Sequence, residues 1–555
     1  MTARLGRCGT HAPSSEGVSW RKLGFAALSI PIVFAGMANA DSEPLRIGEL
    51  MDLGLEELVQ LDVISVSKIA RPWFGAAAAV YVLTSDDIKR SGARSIAEAL
   101  RMVPGMNVAQ LDNNKWAISA RGFNHLYAHH LLVLLDGRSV YSPLHSGVHW
   151  DTIDTVLDDI GRIEVVRGPG AALWGANAVN GIINIITKKA EATQGNVVSV
   201  GVGNRELDTT FRHGGELGKG SFYRVYGKYS DLGANSRRVG SEADANDDWR
   251  MGRTGFRTEW SRGAFDQYTV QGDVYRGMLG ETLRFPDLSV PVVLNTTIAT
   301  DMKVAGANLL SRWTRQHYNN SELVIQVFAD HTSRRELDFF ETHNTLDLDL
   351  QYSHRASARH MLMWGAGYRT IWDKTEPSFR YGFQHQSQHI DNSGVFIQDE
   401  ITLTSTMDLT AGVKFEHFNY TGWESQPSLR FAWSPTLSQT LWAAVSRAAR
   451  TPSRNDTDAR INAAAFMQNG STPTVVRILG NPDISSEHVT AYELGLRLTH
   501  YDDLYIDVAL FRNRYEDLTG TQPETPQFEA TPPPNHLVLP RRFVSDTNGH
   551  TQGAE

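Results

Sequence analysis

The sequence predicts a transmembrane antiparallel β-barrel preceded by a small α+β domain. From about residue 195 onward, segments of roughly ten residues alternate apolar and polar side chains, and about fifteen or sixteen such segments can be marked. Short turns alternate with longer loops rich in Asn, Asp, Gly or Pro, which is typical of outer-membrane barrels. No run of about 20 apolar residues, the length that a membrane-spanning helix needs, occurs in the chain.

The chain begins with a segment typical of export. Two basic residues, Arg21 and Lys22, precede a short apolar run from 23 to 37, and Ala38-Asn39-Ala40 forms a small-x-small cleavage signature. We therefore expect residues 1–40 to be a signal peptide that is cleaved after Ala40.

Composition narrows the classes of partner and of chemistry. The formal net charge is −9, and it becomes more negative once residues 1–40 are removed, which argues against nucleic acid as a partner. The single cysteine, Cys8, lies in the removed segment, which excludes a disulfide scaffold and a zinc–thiolate site. No sequence signal marks a nucleophile with its base and carboxylate, so we expect neither an enzyme nor a resident cofactor.

Residues 75–189 have the pattern of the α+β domain. "AAVYVLTSDDIKRSG" is a strand leading into a helix start, and Ser95 with Glu98 predicts a capping box for a helix that stops at Pro104-Gly105. Short apolar strands follow, with a turn predicted at Asp136-Gly137. They are "WAISARG", "HLLVLLDGRSVYS", "IGRIEVVRG" and "GIINIITKK".

A glycine-rich stretch separates the last two of these strands. Its glycines allow positive φ and close chain approach. The stretch superficially matches a dinucleotide fingerprint, but the third glycine is missing and a β-branched run follows where a helix would be needed. We therefore expect tight turns there and no phosphate site. The glycines are Gly168, Gly170, Gly175 and Gly181.

Two strands illustrate the alternation in the predicted barrel, residues 190–555. In "LTAGVKFEHF", residues 409, 411, 413 and 415 share an apolar face opposite Lys414 and Glu416. In "AYELGLRLTH", Tyr492 and the leucines share one face, while Glu493 and Arg497 share the other. One face of each strand suits lipid and the other suits a polar interior.

At this level of detail the chain resembles the TonB-dependent receptors of the Gram-negative outer membrane. The matching stretches keep the family's order from residue 75 to 520, and they are most similar to receptors of ferric siderophores and cobalamin. The resemblance implies that residues 75–189 are a plug inside a 22-stranded barrel. The stretches include "IGRIEVVRGPGAALWGANAVNGIINIITKK", "GVFIQDEITL", "SRAARTPS", "NPDISSEHVTAYELGLRL" and "FRNRYEDL".

The resemblance also implies a function. Such receptors import scarce metal chelates that are too large for porins, with energy delivered through TonB from an inner-membrane complex. We therefore expect TonB-dependent import of a ferric siderophore, with cobalamin, haem or another metal complex as alternatives. Residues 451–480 contain no histidine, which disfavours haem because haem receptors place one there. The expected partners are TonB and its energising complex, the chelate and outer-membrane lipid, and the barrel is expected to be a monomer.

Residues 41–74 are expected to form a periplasmic N-terminal segment that contains the contact with TonB. In such receptors a short extended segment ahead of the plug pairs edge to edge with TonB, so that backbone hydrogen bonds give the affinity. The candidate is "DVISVSK", residues 62–68; a plug strand or a disordered tether is the alternative. The contact residues would be Asp62, Val63, Ile64, Ser65, Val66 and Ser67.

Two plug arginines, Arg121 and Arg167, match arginines that face barrel glutamates in the family. Glu493, on the polar face of its strand, matches one such glutamate. A buried pair of this kind would lock the plug to the barrel, and loss of one partner would be costly. The alternative is an ordinary solvated pair.

Five of the nineteen histidines fall between residues 125 and 149, close to several aromatic residues. Plug loops of the family rise toward the outside, so this cluster could line the ligand vestibule. Imidazole suits copper, nickel, zinc or iron, but no pair has the spacing of a dedicated metal site, so we expect no metal site there. The candidate residues are His125, Tyr127, Tyr141, His145, His149 and Trp150.

The chain ends in "FVSDTNGHTQGAE", a phrase typical of the approach to a further strand. Relative to a 22-stranded barrel, about six strands are expected to be absent, and an unclosed sheet leaves bare edges in lipid. We therefore expect a fragment, or a truncated product that does not insert stably and does not transport.

Overall fold

The structure is a computed structural model, and it describes residues 62–68, 71–235, 245–288, 294–500 and 504–555. The signal peptide expected at residues 1–40, and the first part of the expected periplasmic segment, lie outside the described residues. Among the described residues, no helix combines the length and the apolarity needed to cross a bilayer.

The first part of the described chain forms the predicted α+β domain, called the plug below. Its five-stranded sheet has the order β3-β8-β9-β6-β7, in which only β6 and β9 run parallel, while β1–β2 and β4–β5 form separate pairs. The strands are β1 (Asp62–Val63), β2 (Arg71–Pro72), β3 (Ala79–Thr84), β4 (Met106–Gln110), β5 (Trp116–Ala120), β6 (Leu131–Leu135), β7 (Arg138–Ser139), β8 (Ile160–Arg167) and β9 (Gly181–Thr187). The helices are α1 (Ser85–Ser91), α2 (Ile96–Ala99) and α3 (Ala171–Trp174).

Local sequence signals explain the first two helices. Thr84 and Asp87 cap α1 reciprocally, each side chain accepting the other's backbone N–H. Ser95 caps α2 by accepting from Glu98 N, as expected, but the Glu98 carboxylate accepts from Arg94 N at 2.8 Å. The expected capping box is therefore only half formed, because the Glu98 side chain reaches one residue further back.

The plug core is apolar and lies on one side of the sheet. Ile88 of α1 and Leu100 after α2 pack against Ile163, Val133 and Ile183 of the central strands. These side chains are 0–2% exposed. The central strands are buried on both faces, and their other face packs against the barrel wall through residues such as Val166 and Ile182.

The glycine-rich stretch differs from the expectation in one respect. Residues 171–174, expected to be part of a turn, form the single helical turn α3. Gly175 ends that turn with φ +89°, a conformation that L side chains rarely adopt. The prediction of tight turns was wrong for these four residues, because a four-residue helix is too short to show a period of 3.6 in the sequence.

The rest of the chain is one large sheet of twenty strands. Four of them lie in loops and are called the short strands below, and the other sixteen, called the long strands, agree with the count from the alternation. The long strands are β10 (Gly195–Gly203), β11 (Glu206–Gly218), β12 (Ser221–Leu232), β13 (Trp249–Arg262), β14 (Asp266–Pro286), β15 (Asn295–Gln316), β16 (Glu322–Arg335), β17 (Phe340–Arg355), β18 (His360–Glu376), β20 (Ser387–Thr404), β21 (Met407–Phe418), β22 (Gly422–Thr436), β23 (Gln439–Arg450), β26 (Glu487–His500), β27 (Leu504–Pro523) and β29 (His536–Ala554). The short strands are β19 (Tyr381–Phe383), β24 (Ala459–Gln468), β25 (Thr472–Leu479) and β28 (Gln527–Glu529), and a fourth helix, α4 (Arg454–Asp458), precedes β24.

Successive long strands pair antiparallel, so the connections alternate between two ends of the sheet. Connections such as 219–220 and 405–406 mark the short-turn end. The excursions 377–386 and 451–486 mark the long-loop end. No pairing joins β10 to β29 in the part of the chain that the structure describes.

The predicted alternation of the barrel strands is confirmed. On β26, Tyr492, Leu494 and Leu496 are 39–58% exposed on the outer face, whereas Glu493 and Arg497 are 6% and 0% exposed on the inner face. The plug occupies the interior, because its residues bond to inner-face side chains of strands from β11 to β26. The barrel and its internal plug are therefore both present.

Candidate functional site

The structure brings Arg121 and Glu493 together. Arg121 Nη1 donates to Glu493 Oε1 at 2.7 Å, and the two side chains are 0% and 5% exposed. Arg121 Nε also donates to Glu555 Oε1 at 3.1 Å. Within the described residues, Arg167 contacts Glu555 at 3.3 Å and not Glu493. Glu493 is therefore the partner of Arg121, and the glutamate that Arg167 faces is Glu555.

Two of the four plug glycines lie directly against barrel carboxylates. A Cβ on Gly168 would come within 2.5 Å of Glu493 Oε1, and one on Gly175 within 2.4 Å of Glu416 Oε1. Glu416 also accepts from the backbone N–H of Ala176 at 2.8 Å. Gly170 and Gly181 are crowded from within the plug, by Ile182 Cδ1 and the Val166 carbonyl. The glycines therefore let the plug backbone approach both its own strands and the wall.

Sequence reasoning missed a second set of plug–barrel contacts of the opposite polarity. Here the carboxylates belong to the plug and the cations to strands β11–β16. Arg334 binds both oxygens of Asp151 at 2.7 and 2.8 Å, and Lys228 binds Asp154 at 2.7 Å. Arg212 pairs with Asp159 in the same way. The signal that could have found them is the row of aspartates in "HWDTIDTVLDDI", which is unusual in an apolar domain.

Asp136, in the predicted Asp-Gly turn, belongs to the same set. Its carboxylate accepts from Thr187 N, Thr187 Oγ1 and Gln271 Nε2, each at 2.8 Å. Burial alone would raise its pKa, but the Arg257 charge and these hydrogen bonds hold the pKa of Asp136 below its ordinary value. The turn that joins β6 to β7 is therefore fixed both to the plug and to the wall.

Arg497 was also missed. Its guanidinium donates to the backbone carbonyls of Trp73, Phe74 and Ala76 at 3.2, 3.1 and 2.5 Å, and to that of Ala78. The side chain is 0% exposed and lies 3.3 Å from Asp507. This arginine clamp fixes residues 73–78, the stretch that leads into β3, to the short-turn end of the barrel.

Residues 62–67, the predicted TonB contact, are folded against the plug. Glu164 Oε2 accepts from Ile64 N, Ser65 N and Ser65 Oγ at 3.1, 2.9 and 2.5 Å. Val63 is fully buried, and β1 pairs with β2. In this arrangement the segment is packed, so pairing with another protein's strand requires it to leave Glu164.

The histidine cluster lies at the long-loop end, on the plug surface that faces the barrel loops. His125 is exposed and its Nε2 lies 3.1 Å from His129 Nδ1. Tyr127 stacks on His145 with ring centroids 4.5 Å apart. The ring of Tyr381, on β19, also stacks on His145, with centroids 6.1 Å apart. The Tyr141 hydroxyl donates to the His129 carbonyl, so it points back into the plug.

Trp150 does not belong to this surface. It is 8% exposed and packs in the plug core with Val148 and Leu135. Its assignment to the ligand vestibule was therefore wrong. An indole in the sequence next to histidines gave no indication of which way it points.

His130 belongs to a buried network with the barrel. His130 Nε2 lies 2.9 Å from Glu487 Oε2, and Arg450 and Thr519 donate to Glu487 Oε1 at 2.9 and 2.7 Å. Burial lowers the pKa of His130, and burial with the nearby Arg450 charge lowers the pKa of His129 well below its ordinary value of 6.5. Both imidazoles are therefore neutral at pH 7.

Comparison with known proteins identifies both parts of the chain. The family profile "TonB dependent receptor-like, beta-barrel" matches residues 193–555, and "TonB-dependent Receptor Plug Domain" matches residues 74–182. The chain is 24% identical to the vitamin B12 transporter BtuB of Vibrio vulnificus, over 82% of this chain and 70% of that protein. It is also 24% identical to the ferric enterobactin receptor of Pseudomonas aeruginosa, over 83% and 70%.

Solved structures show the same architecture. The siderophore receptor PirA of Pseudomonas aeruginosa superimposes with a TM-score of 0.66 at 18% identity, covering 86% of this chain and 81% of that one. The ferric enterobactin receptor of the same species gives 0.70 at 18% identity, covering 86% and 77%. The similarity thus extends through the plug and along the barrel. Since the barrel profile alone covers more than half of the sequence, the chain belongs to the family of TonB-dependent receptors.

Proposed function

We propose that this receptor imports a ferric siderophore or a similar metal chelate across the outer membrane, driven by TonB. The observation that carries the proposal is a plug bonded all round inside a barrel, with residues 62–67 folded at its short-turn end. A plugged barrel does not conduct passively, so passage of a large solute requires the plug contacts to change. The ferric enterobactin receptor among its relatives supports a ferric chelate, and the B12 transporter supports cobalamin as the second candidate.

The long-loop end would face the outside and the short-turn end the periplasm, as in other outer-membrane barrels. The exposed His125 would then meet the incoming ligand. The clamp at Arg497 and residues 62–67 would lie where TonB reaches them. We further propose export by a cleaved signal peptide and a lock function for the Arg121–Glu493 pair.

The test is uptake in a deletion strain that carries the full-length receptor. Cells are supplied with radiolabelled iron as several ferric siderophores, and in parallel with labelled cobalamin. We expect accumulation of iron from at least one siderophore, and its loss in a strain without TonB. Accumulation of cobalamin alone would replace the proposed cargo, and accumulation independent of TonB would overturn active import.

Two substitutions of Ile64 distinguish binding of the chelate from energy transfer by TonB. Ile64→Pro removes a backbone N–H and blocks strand pairing, whereas Ile64→Ala leaves the backbone intact. We expect Ile64→Pro to abolish uptake and retain binding of the chelate to cells, and Ile64→Ala to retain both. Equal uptake by the two variants would show that TonB does not pair with residues 62–67.

A further inference from the structure

Three side chains meet where the plug surface at the long-loop end touches β17. His145 and His149 come from the plug, and Glu341 comes from the barrel. His145 Nε2 lies 3.7 Å from Glu341 Oε2, and His149 Nε2 lies 3.8 Å from Glu341 Oε1. The donor atoms of all three lie within 4.8 Å of one another. Tetrahedral ligands about 2.0–2.1 Å from a metal are about 3.3 Å apart, so each histidine–Glu341 distance would close by about half an ångström and the two histidine donors would close by at most about 1.5 Å.

The carboxylate at the centre of this cluster lacks hydrogen bonds. Glu341 is 1% exposed, and neither of its oxygens has a hydrogen-bond partner among the described residues. His149 Nε2, which points at it, is buried and equally unpartnered. A buried carboxylate without partners is costly, and native proteins satisfy such groups with water or an ion. The unpartnered atoms all point to one place.

The other histidine cluster shows the contrast. His130 and Glu487 are closer, at 2.9 Å, and Arg450 and Thr519 also bind Glu487. A carboxylate with three donors is already satisfied and carries a neighbouring positive charge, so it has no need of a cation. At Glu341 the nearest guanidinium, Arg334, is engaged by both oxygens of Asp151.

Two imidazoles and one carboxylate are a ligand set that divalent transition metals use in proteins. With neutral imidazoles the set carries one negative charge, which suits a divalent cation. The other titratable groups around it include Tyr127, Tyr381, His343 and the Arg334 guanidinium, none of which adds a negative charge.

We propose that His145, His149 and Glu341 bind one divalent transition-metal ion at the seam between the plug and the barrel. The His145 and His149 side chains are only 13% and 11% exposed, so the site admits a bare ion and excludes a bulky chelate. A cavity of about 70 Å³ alongside, lined by His149 and His343, leaves room for water around the ion. Because two ligands come from the plug and one from the wall, the ion ties the plug to the barrel.

The test is metal binding by the purified full-length receptor in detergent, which does not depend on any transport activity. Co²⁺ serves as the spectroscopic probe, and Zn²⁺ competes for the site. We expect one equivalent of Co²⁺ to give visible d–d absorption that Zn²⁺ abolishes. His145→Ala, His149→Ala and the isosteric Glu341→Gln should each weaken binding at least about tenfold. The matched control is His317→Ala, in an exposed turn at the short-turn end, which should leave binding unchanged.

A second readout guards against variants that misfold. Zn²⁺ should raise the Tm of the wild type and of His317→Ala, and should leave the Tm of Glu341→Gln unchanged. The absence of saturable Co²⁺ binding, or binding that survives all three substitutions, would overturn the proposal. So would a site that responds only to a ferric siderophore and never to Co²⁺ or Zn²⁺ alone. Failure of siderophore uptake would leave these outcomes unaffected.

Discussion

At the scale of single residues, Glu493 is enclosed by the plug on two sides. Arg121 binds it at 2.7 Å, and the Cα of Gly168 lies so close that a side chain would overlap it. A buried charge in such a position depends strongly on its partner, because no water can replace a lost hydrogen bond. The pair and the glycine therefore form one unit.

Neutralising this carboxylate should destabilise the plug. We expect Glu493→Gln to lower the free energy of unfolding by about 2 kcal/mol, because Arg121 loses one of its two charged partners in a dry site. This loss is measured by urea titration of the detergent-solubilised protein, with tryptophan fluorescence as the signal. The control is Glu376→Gln, whose pair with Arg335 is more than half exposed and should contribute almost nothing. Equal effects of the two substitutions would contradict a buried lock.

Two glycines with positive φ provide a matched pair of alanine substitutions. Gly92, after α1, has φ +69° and open space within 4 Å of the point where a Cβ would lie, whereas Gly168 has φ +112° and meets Glu493 and Arg121. Gly92→Ala should lower the free energy of unfolding by about 1 kcal/mol through backbone strain alone. Gly168→Ala should cost clearly more in the same titration, since both neighbours are buried and cannot move aside. A smaller loss at Gly168 would show that the pair is loosely held.

The lowered pKa values of His129 and His130 predict a dependence of stability on pH. Below 6.5 the unfolded chain takes up protons that the folded plug refuses, so stability is complete above about pH 6.5 and falls as the pH drops. At pH 5.5 each histidine costs up to about 1.4 kcal/mol. Comparing Tm at pH 7.5 and 5.5 checks this, and His129→Gln should reduce the loss whereas the exposed His317→Gln should not. A Tm that rises toward pH 5.5 would contradict the sign.

The residue scale is also where the sequence is least informative. Arg121 and Glu493 could be paired because both stand in recognisable motifs. Arg497 stands on the same polar strand face, but its partners are backbone carbonyls of residues 73–78, which carry no side-chain signature. Glu341 and His145 are almost two hundred residues apart, so only the folded chain reveals that they meet.

At the scale of elements, several side chains hold residues 62–68: Glu164 of β8 accepts from the segment, while Asn184 and Gln351 donate to Ser65 Oγ and to the Lys68 carbonyl. Three donors from this segment converge on one carboxylate oxygen. The Trp174 indole of α3 donates to the Ser65 carbonyl at 2.7 Å as well. The one-turn helix α3 thus helps to hold residues 62–68, although it is too short to be predicted from the sequence.

Removing that carboxylate should release the segment without unfolding the plug. We expect Glu164→Ala to raise hydrogen exchange of residues 62–68 at least about tenfold, while β9 stays protected. Exchange measured by mass spectrometry on the full-length protein checks this. Arg162→Ala is the control. Arg162 binds Glu164 Oε1 at 2.7 Å, whereas the donors of the segment bind Glu164 Oε2. Unchanged exchange in Glu164→Ala would show that the buried Val63 holds the segment.

Elements with a strong period were predictable and short ones were not. The long strands β11–β29 follow the alternation of their residues, because lipid on one side and a polar interior on the other impose a period of two. The short elements α3 and β19 are set by contacts with the opposite part of the chain. Such contacts leave no local pattern.

At the scale of the whole molecule, the plug and the barrel wall are joined by ion pairs of both polarities. Barrel cations meet plug aspartates along β11–β16, and plug Arg121 meets a barrel glutamate on β26. Contacts of this kind can be exchanged for water more readily than an apolar interface, because each partner is solvated when it separates. A polar interface of this kind is compatible with the plug movement that the proposed import requires.

A covalent link across this interface should separate binding from import. Asn177 N donates to the Ala449 carbonyl at 2.9 Å, which places the two backbones at about the spacing of a disulfide. We expect Asn177→Cys with Ala449→Cys to bind the proposed chelate and to stop its uptake until a reductant is added. Each single substitution is the control. Undiminished uptake by the oxidised double variant would mean that this side of the plug stays in place during transport.

The arginine clamp at Arg497 also determines how a mechanical load would travel. It stands between residues 62–68 and β3, which is an edge strand held by one neighbour only. Once the hydrogen bonds to Glu164 are broken, a pull on residues 62–68 is transmitted to the barrel wall at Arg497 before it reaches β3. Only a force that strips four carbonyls from one guanidinium would go on to peel β3 from β8. In the proposed TonB-driven import, the clamp would set a threshold below which tension on the N-terminal segment leaves the plug sheet intact.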